Sequence, residues 1–262
     1  MPVDLQPARL NVRNVSLGYA RRLVAEHLDV SVPDGSFTVI VGPNACGKST
    51  LLRAMARLLR PAEGEITLDG RSIAGFSGKQ LAREIGLLPQ ASIAPEGITV
   101  FDLVARGRYP HQKITRQFSV ADEQAVNEAL EATNTVELAH RTVDELSGGQ
   151  RQRVWVAMAL AQQTPILLLD EPTTYLDIAH QVELLELCRT LNEQGRTMVA
   201  VLHDLNQAAR YASHLIAMKD GQIVAQGKPA ELMTEELVHK VFGLRSHVIQ
   251  DPYAKCPLVL PA

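Results

Sequence analysis

Cysteine is scarce in this sequence. Its three copies, Cys46, Cys188 and Cys256, match no metal-ligand spacing and are too few for a disulfide scaffold, which fits a reducing cytosol. Long apolar runs are missing as well. The longest unbroken one is 154–161, far too short to cross a bilayer, so any membrane role must come through a partner. The first 13 residues hold no apolar core of leader length. Positive charge is not in excess either: a formal net charge of -3 and no basic stripe argue against a nucleic-acid partner, because nothing would neutralise a phosphate backbone. Neighbouring arginines, Arg21-Arg22 and Arg151 with Arg153, read as solvated faces or local ion pairs. Sustained heptads, internal repeats and low-complexity tracts do not occur.

What is present suits a packed α/β core. With 46% apolar residues the chain can bury a full interior, and 262 residues fit one such core with a smaller appended subdomain. The organising stretch is Gly42-Pro43-Asn44-Ala45-Cys46-Gly47-Lys48-Ser49-Thr50, which follows the apolar run 37–41 and opens a helical pattern over 51–59. A strand, a glycine-bounded loop ending in Lys-Ser and a helix make a phosphate-binding loop, whose inward N–H groups surround a polyphosphate. The ligand expected is a nucleoside triphosphate. Gly42 and Gly47 allow backbone conformations that a side chain forbids, Lys48 brings a charge to the β/γ-phosphates, and Ser49 offers a hydroxyl to Mg²⁺.

Strands are expected at 10–17, 25–32 and 36–41, a hairpin over 64–71, and a core strand at 85–88 that ends at Pro89-Gln90. Tyr19, after the first strand, either stacks on a purine or is an ordinary exposed ring. Gln90 either faces a ligand or caps a loop. Helical patterns then take over at 100–106 and 120–133, with a short turn at 136–139 and a loop at 107–111. Leu146-Ser147-Gly148-Gly149-Gln150 precedes a helical run over 151–163. Ser147 and Gln150 have capping-box spacing, while paired glycines at a helix start suit close approach to an anion.

The apolar strand 165–169 ends in Asp170-Glu171, where open α/β sheets bind ligands. Asp170 suits a Mg²⁺ contact and Glu171 a general base for water. Another buried strand, 197–202, ends at His203-Asp204, followed by a helix at 205–211, a hairpin of 213–218 with 223–225, and two short helices within 229–242. The stretch 251–262, with three prolines, is expected to fray or lie across the surface.

With the phosphate loop, Gln90, 146–150, the acid-tipped strand, Asp177 and His203 in this order, the chain resembles ABC-type ATP-binding subunits over nearly its whole length. The resemblance implies an α/β fold: a P-loop NTPase core with a mixed, largely parallel sheet, an N-terminal antiparallel β subdomain and an inserted helical subdomain. It implies an ATP-binding domain over 8–246 (core about 8–90 and 160–246, helical subdomain about 91–159) and a tail over 247–262. It further implies a homodimer closing head to tail on two ATP molecules, each between one copy's phosphate loop and the other's Ser147-Gly148-Gly149-Gln150. In that scheme Tyr19 stacks on adenine and Gln90 contacts Mg²⁺ and senses the membrane partner. Glu171 polarises the attacking water, His203 is the γ-phosphate switch and Asp177 reaches across the dimer.

Residues 107–111 and 173–181 look like the subgroup that imports iron(III)-siderophores, with vitamin B12 and haem importers as near relatives. That implies two transmembrane permease subunits engaged through the segment 91–110, an extracytoplasmic binding protein, and a peripheral place on the cytoplasmic side of the inner membrane. Soluble ABC ATPases acting on DNA or ribosomes usually carry coiled-coil insertions or two nucleotide domains, and exporters often fuse their membrane helices; neither feature is present, but exporters built from separate chains stay open, so the importer reading rests on the subgroup resemblance. One departure is chemical: Cys46 is either a tolerated small residue at a variable loop position or, beside a helix N-terminus, a thiol of lowered pKa that reacts with alkylating agents.

Overall fold

The computed structural model describes residues 8–20, 22–90, 93–112 and 118–262. The leader expectation for 1–7, Arg21 of the first arginine pair, and 91–92 of the permease-facing segment lie outside them. The chain forms two compact units, one of residues 1–76 and 196–262, the other of 77–195.

The first unit opens with β1 (Ala8–Tyr19) and β2 (Arg22–Pro33), antiparallel to each other, and then β3 (Phe37–Val41), all five of whose residues are buried. Helix α1 (Lys48–Met55) follows the phosphate loop and buries Leu51, Leu52 and Met55 completely, each stabilising the fold by roughly 1.5–3 kcal/mol through lost water contact. Strands β4 (Glu63–Leu68) and β5 (Arg71–Ser72) complete an antiparallel sheet in the order β2-β1-β4-β5.

The second unit is mostly helical. Its first helix, α2 (Gly78–Glu84), starts at a Ser77 capping box and leads into β6 (Ile85–Leu88). Thr99 caps α3 (Val100–Ala105), and Ser119 caps α4 (Val120–Ala132). The expected loop at 107–111 begins instead inside a 3₁₀ turn, Arg106–Arg108, because Arg108 is drawn inward. Its Nε donates to Asp122 Oδ1 at 2.9 Å and its Nη1 to the Ala161 carbonyl at 2.7 Å, so the pair is buried and tied to the backbone of a later helix. Helix α5 (Gly148–Ala161) is followed by β7 (Ile166–Asp170), parallel to β6, and by α6 (Ile178–Glu193). Arg151 and Arg153 are partly buried on α5, not on a solvated face.

Back in the first unit, β8 (Thr197–Val201) lies parallel to β3, α7 (Leu205–Tyr211) follows, and β9 (His214–Lys219) lies parallel to β3 on its other side. Antiparallel β10 (Gln222–Gly227) extends this group, so the sheet is mixed, as the sequence suggested. Two short helices, α8 (Pro229–Leu232) and α9 (Glu235–Phe242), come next. The end of the chain does not fray: β11 (Ser246–Gln250) and β12 (Pro257–Pro261) pair as an antiparallel hairpin. Two of the prolines expected to disorder it sit at strand ends, where no ladder N–H is needed. Among the described residues no helix is long and apolar enough to cross a membrane.

Candidate functional site

The phosphate loop of the first unit owes its shape partly to the protein's own backbone. Gly42 has φ 156°, and a Cβ there would lie 2.2 Å from the Met218 carbonyl oxygen and 2.8 Å from Cys46 Sγ, so only glycine fits. At Gly47 a Cβ would meet only ordinary contacts, 3.5 Å from Ala25 and Met218, but φ is 103°, and Ala45 is left-handed at φ 62°. These turns carry Pro43, Asn44 and Ala45 outward and bring Cys46, Gly47, Lys48 and Thr50 into the interior, with Ser49 half-buried. Lys48, 5% exposed, donates to the carbonyls of Gly42 and Pro43, each at 2.8 Å. The ammonium is therefore held inside the loop, at the N-terminus of α1, where an anion is favoured.

Two other expected residues share this unit. Leu202 N–H donates to the Ile40 carbonyl, so the exposed His203 leaves β8 at the sheet edge where β3 runs into Gly42. Tyr19 ends β1 half-exposed, its hydroxyl accepting from Arg53 Nη1 of α1 at 3.5 Å.

Cys46 corrects the sequence reading. It is 4% exposed, and burial pushes its thiol above the ordinary value, outweighing the neighbouring Lys48 charge.

The second unit holds the acidic part. Asp170 is the last residue of β7 and 1% exposed. Glu171 follows in a left-handed conformation, φ 52°, a strain of roughly 1–3 kcal/mol of the kind stored at functional sites. Its Oε2 accepts from Gln90 Nε2 at 2.7 Å and from Thr174 Oγ1 at 3.4 Å. Gln90 thus faces the carboxylate and is no mere loop cap.

Ser147 is the N-cap of α5: its side chain accepts from Gln150 N–H while Gln150 Oε1 accepts from Ser147 N–H. The helix includes both glycines in its first turn. A Cβ on Gly148 or Gly149 would meet only ordinary contacts, at 3.9 and 3.5 Å, so internal packing does not call for them. Asp177 caps α6, accepting from His180 N–H and Nδ1, and the His180 backbone bond chiefly holds its carboxyl below the usual range. Sequence reasoning missed Thr174 as a partner of Glu171, although its place three residues on was a usable signal.

A strained phosphate loop between strand and helix, with an acid-tipped buried strand farther along, defines a P-loop nucleotide triphosphatase. Comparison with known proteins sharpens the class. The sequence model described as "ABC transporter" matches residues 25–174, more than half the chain. The ferric enterobactin transport ATP-binding protein FepC of Escherichia coli (strain K12) is 57% identical over 255 residues, covering 97% of this chain and 94% of that one. An inward-facing structure of a putative metal-chelate type ABC transporter superposes with a TM-score of 0.83 at 29% identity, covering 97% of both chains. The dimeric cassette MJ0796 in a post-hydrolysis state with ADP and Pi gives 0.75 at 30% identity, over 84% of this chain and 98% of that one. The chain belongs to the ABC transporter family, as an ATP-binding, ATP-hydrolysing subunit.

Proposed function

We propose that this subunit powers import of an iron(III)-siderophore through a separate membrane permease. The observation carrying the solute class is the 57% identity to FepC, extending over 97% of the chain. Residues 8–246 are the ATP-binding domain in this reading, with 91–159 as its helical subdomain. Two copies close head to tail, served by two permease subunits at the cytoplasmic face of the inner membrane and by an extracytoplasmic binding protein.

Each residue takes a role that its surroundings support. Gly42 to Thr50 wrap the phosphates, Lys48 exchanging its loop carbonyls for phosphate oxygens, while Tyr19 stacks on the adenine. Ser49 hydroxyl, Gln90 amide oxygen and Asp170 carboxylate are hard oxygen donors of the kind Mg²⁺ takes, and they would hold that ion. When bound, that ion neutralises phosphate charge. Glu171, aimed by Gln90 and its strained backbone, takes the proton of the attacking water. His203 contacts the γ-phosphate, and Ser147, Gly148, Gly149 and Gln150 of a second copy close over it. Their helix start suits an anion, and the glycines that packing does not require allow close approach. Hydrolysis then depends on closure, which gives ATP a mechanical effect.

The test is ATP-driven uptake of labelled ferric siderophore into vesicles holding this subunit and its permease. Uptake that needs ATP and stops with Glu171→Gln is the expected result. Transport of haem or cobalamin in its place would overturn the siderophore assignment.

A further inference from the structure

Three residues beyond His203 the chain is tied to its own C-terminal hairpin. Asn206 Oδ1 accepts from Val259 N–H at 2.7 Å, and Asn206 Nδ2 donates to the Val259 carbonyl at 3.2 Å. One side-chain amide thus pairs with both backbone groups of a single β12 residue, as a neighbouring strand would. Val259 is the middle residue of β12, opposite Val248, and is 4% exposed, so this pairing grips the covered centre of the hairpin. From the other side, Asp204 Oδ1 accepts from the N–H groups of Asn206 and Gln207 at 2.7 and 2.9 Å. His203 therefore sits between two fixed points: β8, whose end is bonded to Ile40, and a helix start that is capped by Asp204 and anchored by Asn206.

Asn206 is the second residue of α7, and its amide oxygen and nitrogen both bond β12 in place of the helix's own backbone. The amide is useful for what it reaches. We propose that Asn206 is a positioning residue for ATP turnover, and that through Val259 the hairpin β11–β12 braces the segment that presents His203 to the γ-phosphate. The proposal rests on the reading of His203 as the γ-phosphate switch.

The test compares the full-length chain with Asn206→Ala, Asn206→Asp, His203→Ala and the double variant His203→Ala/Asn206→Ala, using single-turnover ATP cleavage and steady-state kcat and KM. Asn206→Ala removes both bonds to Val259 and should lower kcat roughly fivefold as the segment carrying His203 loosens, with KM for ATP within about twofold. Asn206→Asp keeps the acceptor for Val259 N–H and should recover about half of that loss. Adding Asn206→Ala to His203→Ala should change turnover by less than about twofold, because residues acting as a unit are not additive. An unchanged kcat in Asn206→Ala, a raised KM alone, or the same fivefold fall in the His203→Ala background would each overturn the brace. If Asn206→Ala does not fold, Asn206→Asp alone and combined with His203→Ala decides by the same comparison. If His203→Ala by itself leaves turnover intact, the switch reading fails first and the brace with it.

Discussion

Gln90 Nε2 lies 2.7 Å from Glu171 Oε2, a hydrogen bond across 81 residues of sequence. The two residues follow the ends of neighbouring parallel strands, β6 and β7, whose last paired positions are Leu88 and Leu169. An amide donor on a carboxylate oxygen fixes its aim, and the left-handed backbone at Glu171 fixes its position.

Glu171→Gln keeps the shape and this bonding capacity but removes the base. ATP affinity should be retained while turnover falls by about 10²-fold or more, the usual contribution of a positioned general base. Equilibrium nucleotide binding beside phosphate release measures both. Turnover within tenfold of the parent chain would remove Glu171 from that role.

Asp122 carries a buried charge. Burial opposes ionisation there, but hydrogen bonds from Ser119 and Arg108 outweigh it and hold the carboxyl below its ordinary value. Asp122→Ala leaves Arg108 buried without its counter-ion and should cost about 3 kcal/mol in denaturant unfolding, as broken buried pairs do. A loss under about 1 kcal/mol would show the pair to be dispensable.

Thiol labelling should follow burial. Cys46 and Cys188 are both buried, with Cys188 pushed up to about 12 by desolvation, whereas Cys256 is only partly covered. At pH 7.5 N-ethylmaleimide should modify Cys256 first and Cys46 at least about tenfold more slowly, the effect of one pKa unit or the equivalent in access. Mass mapping of a time course reads this directly. Rapid labelling of Cys46 in the folded chain would contradict its sealed position.

His214 begins β9 at 6% exposure, paired in register with Thr38, and burial pushes its imidazole below the usual value of 6.5. Between the lowered folded value and 6.5 the unfolded chain holds a proton that the folded one rejects. Stability therefore rises with pH in that window: it is fully present above about 6.5 and declines as pH falls through the folded value. Denaturant midpoints measured from pH 5 to 8 should show this slope, and His214→Leu should flatten it. Parallel curves for both chains would place the acid sensitivity elsewhere.

Much of the fold is visible locally. The strand–loop–helix of the phosphate loop, the capping-box pair Ser147 and Gln150, and the acid-tipped strand β7 each announce themselves within about twenty residues or fewer, because apolar periodicity and capping chemistry act over that range. Helix α6 does not. Of its sixteen residues only Leu184, Leu185, Cys188 and Leu191 are buried, while Ile178 and Val182 face solvent, so the apolar period is blurred. Helix α2 buries Leu81 alone and gives no period to read. The terminal hairpin hides for another reason: its prolines suggest disorder, and the anchor at Asn206 comes from more than fifty residues away.

The sequence by itself determined the chemistry on offer: a triphosphate loop, a lysine and hydroxyl within it, two carboxylates at a strand end, and a glycine-led helix. Those are properties of neighbouring residues. Only the tertiary structure decided that Gln90 bonds Glu171, that the Met218 carbonyl leaves room for nothing but glycine at position 42, and that Cys46 is sealed from solvent. The reason is that desolvation, steric exclusion and hydrogen bonds between distant strands depend on which atoms displace water from each other, and residue spacing along the chain does not fix that.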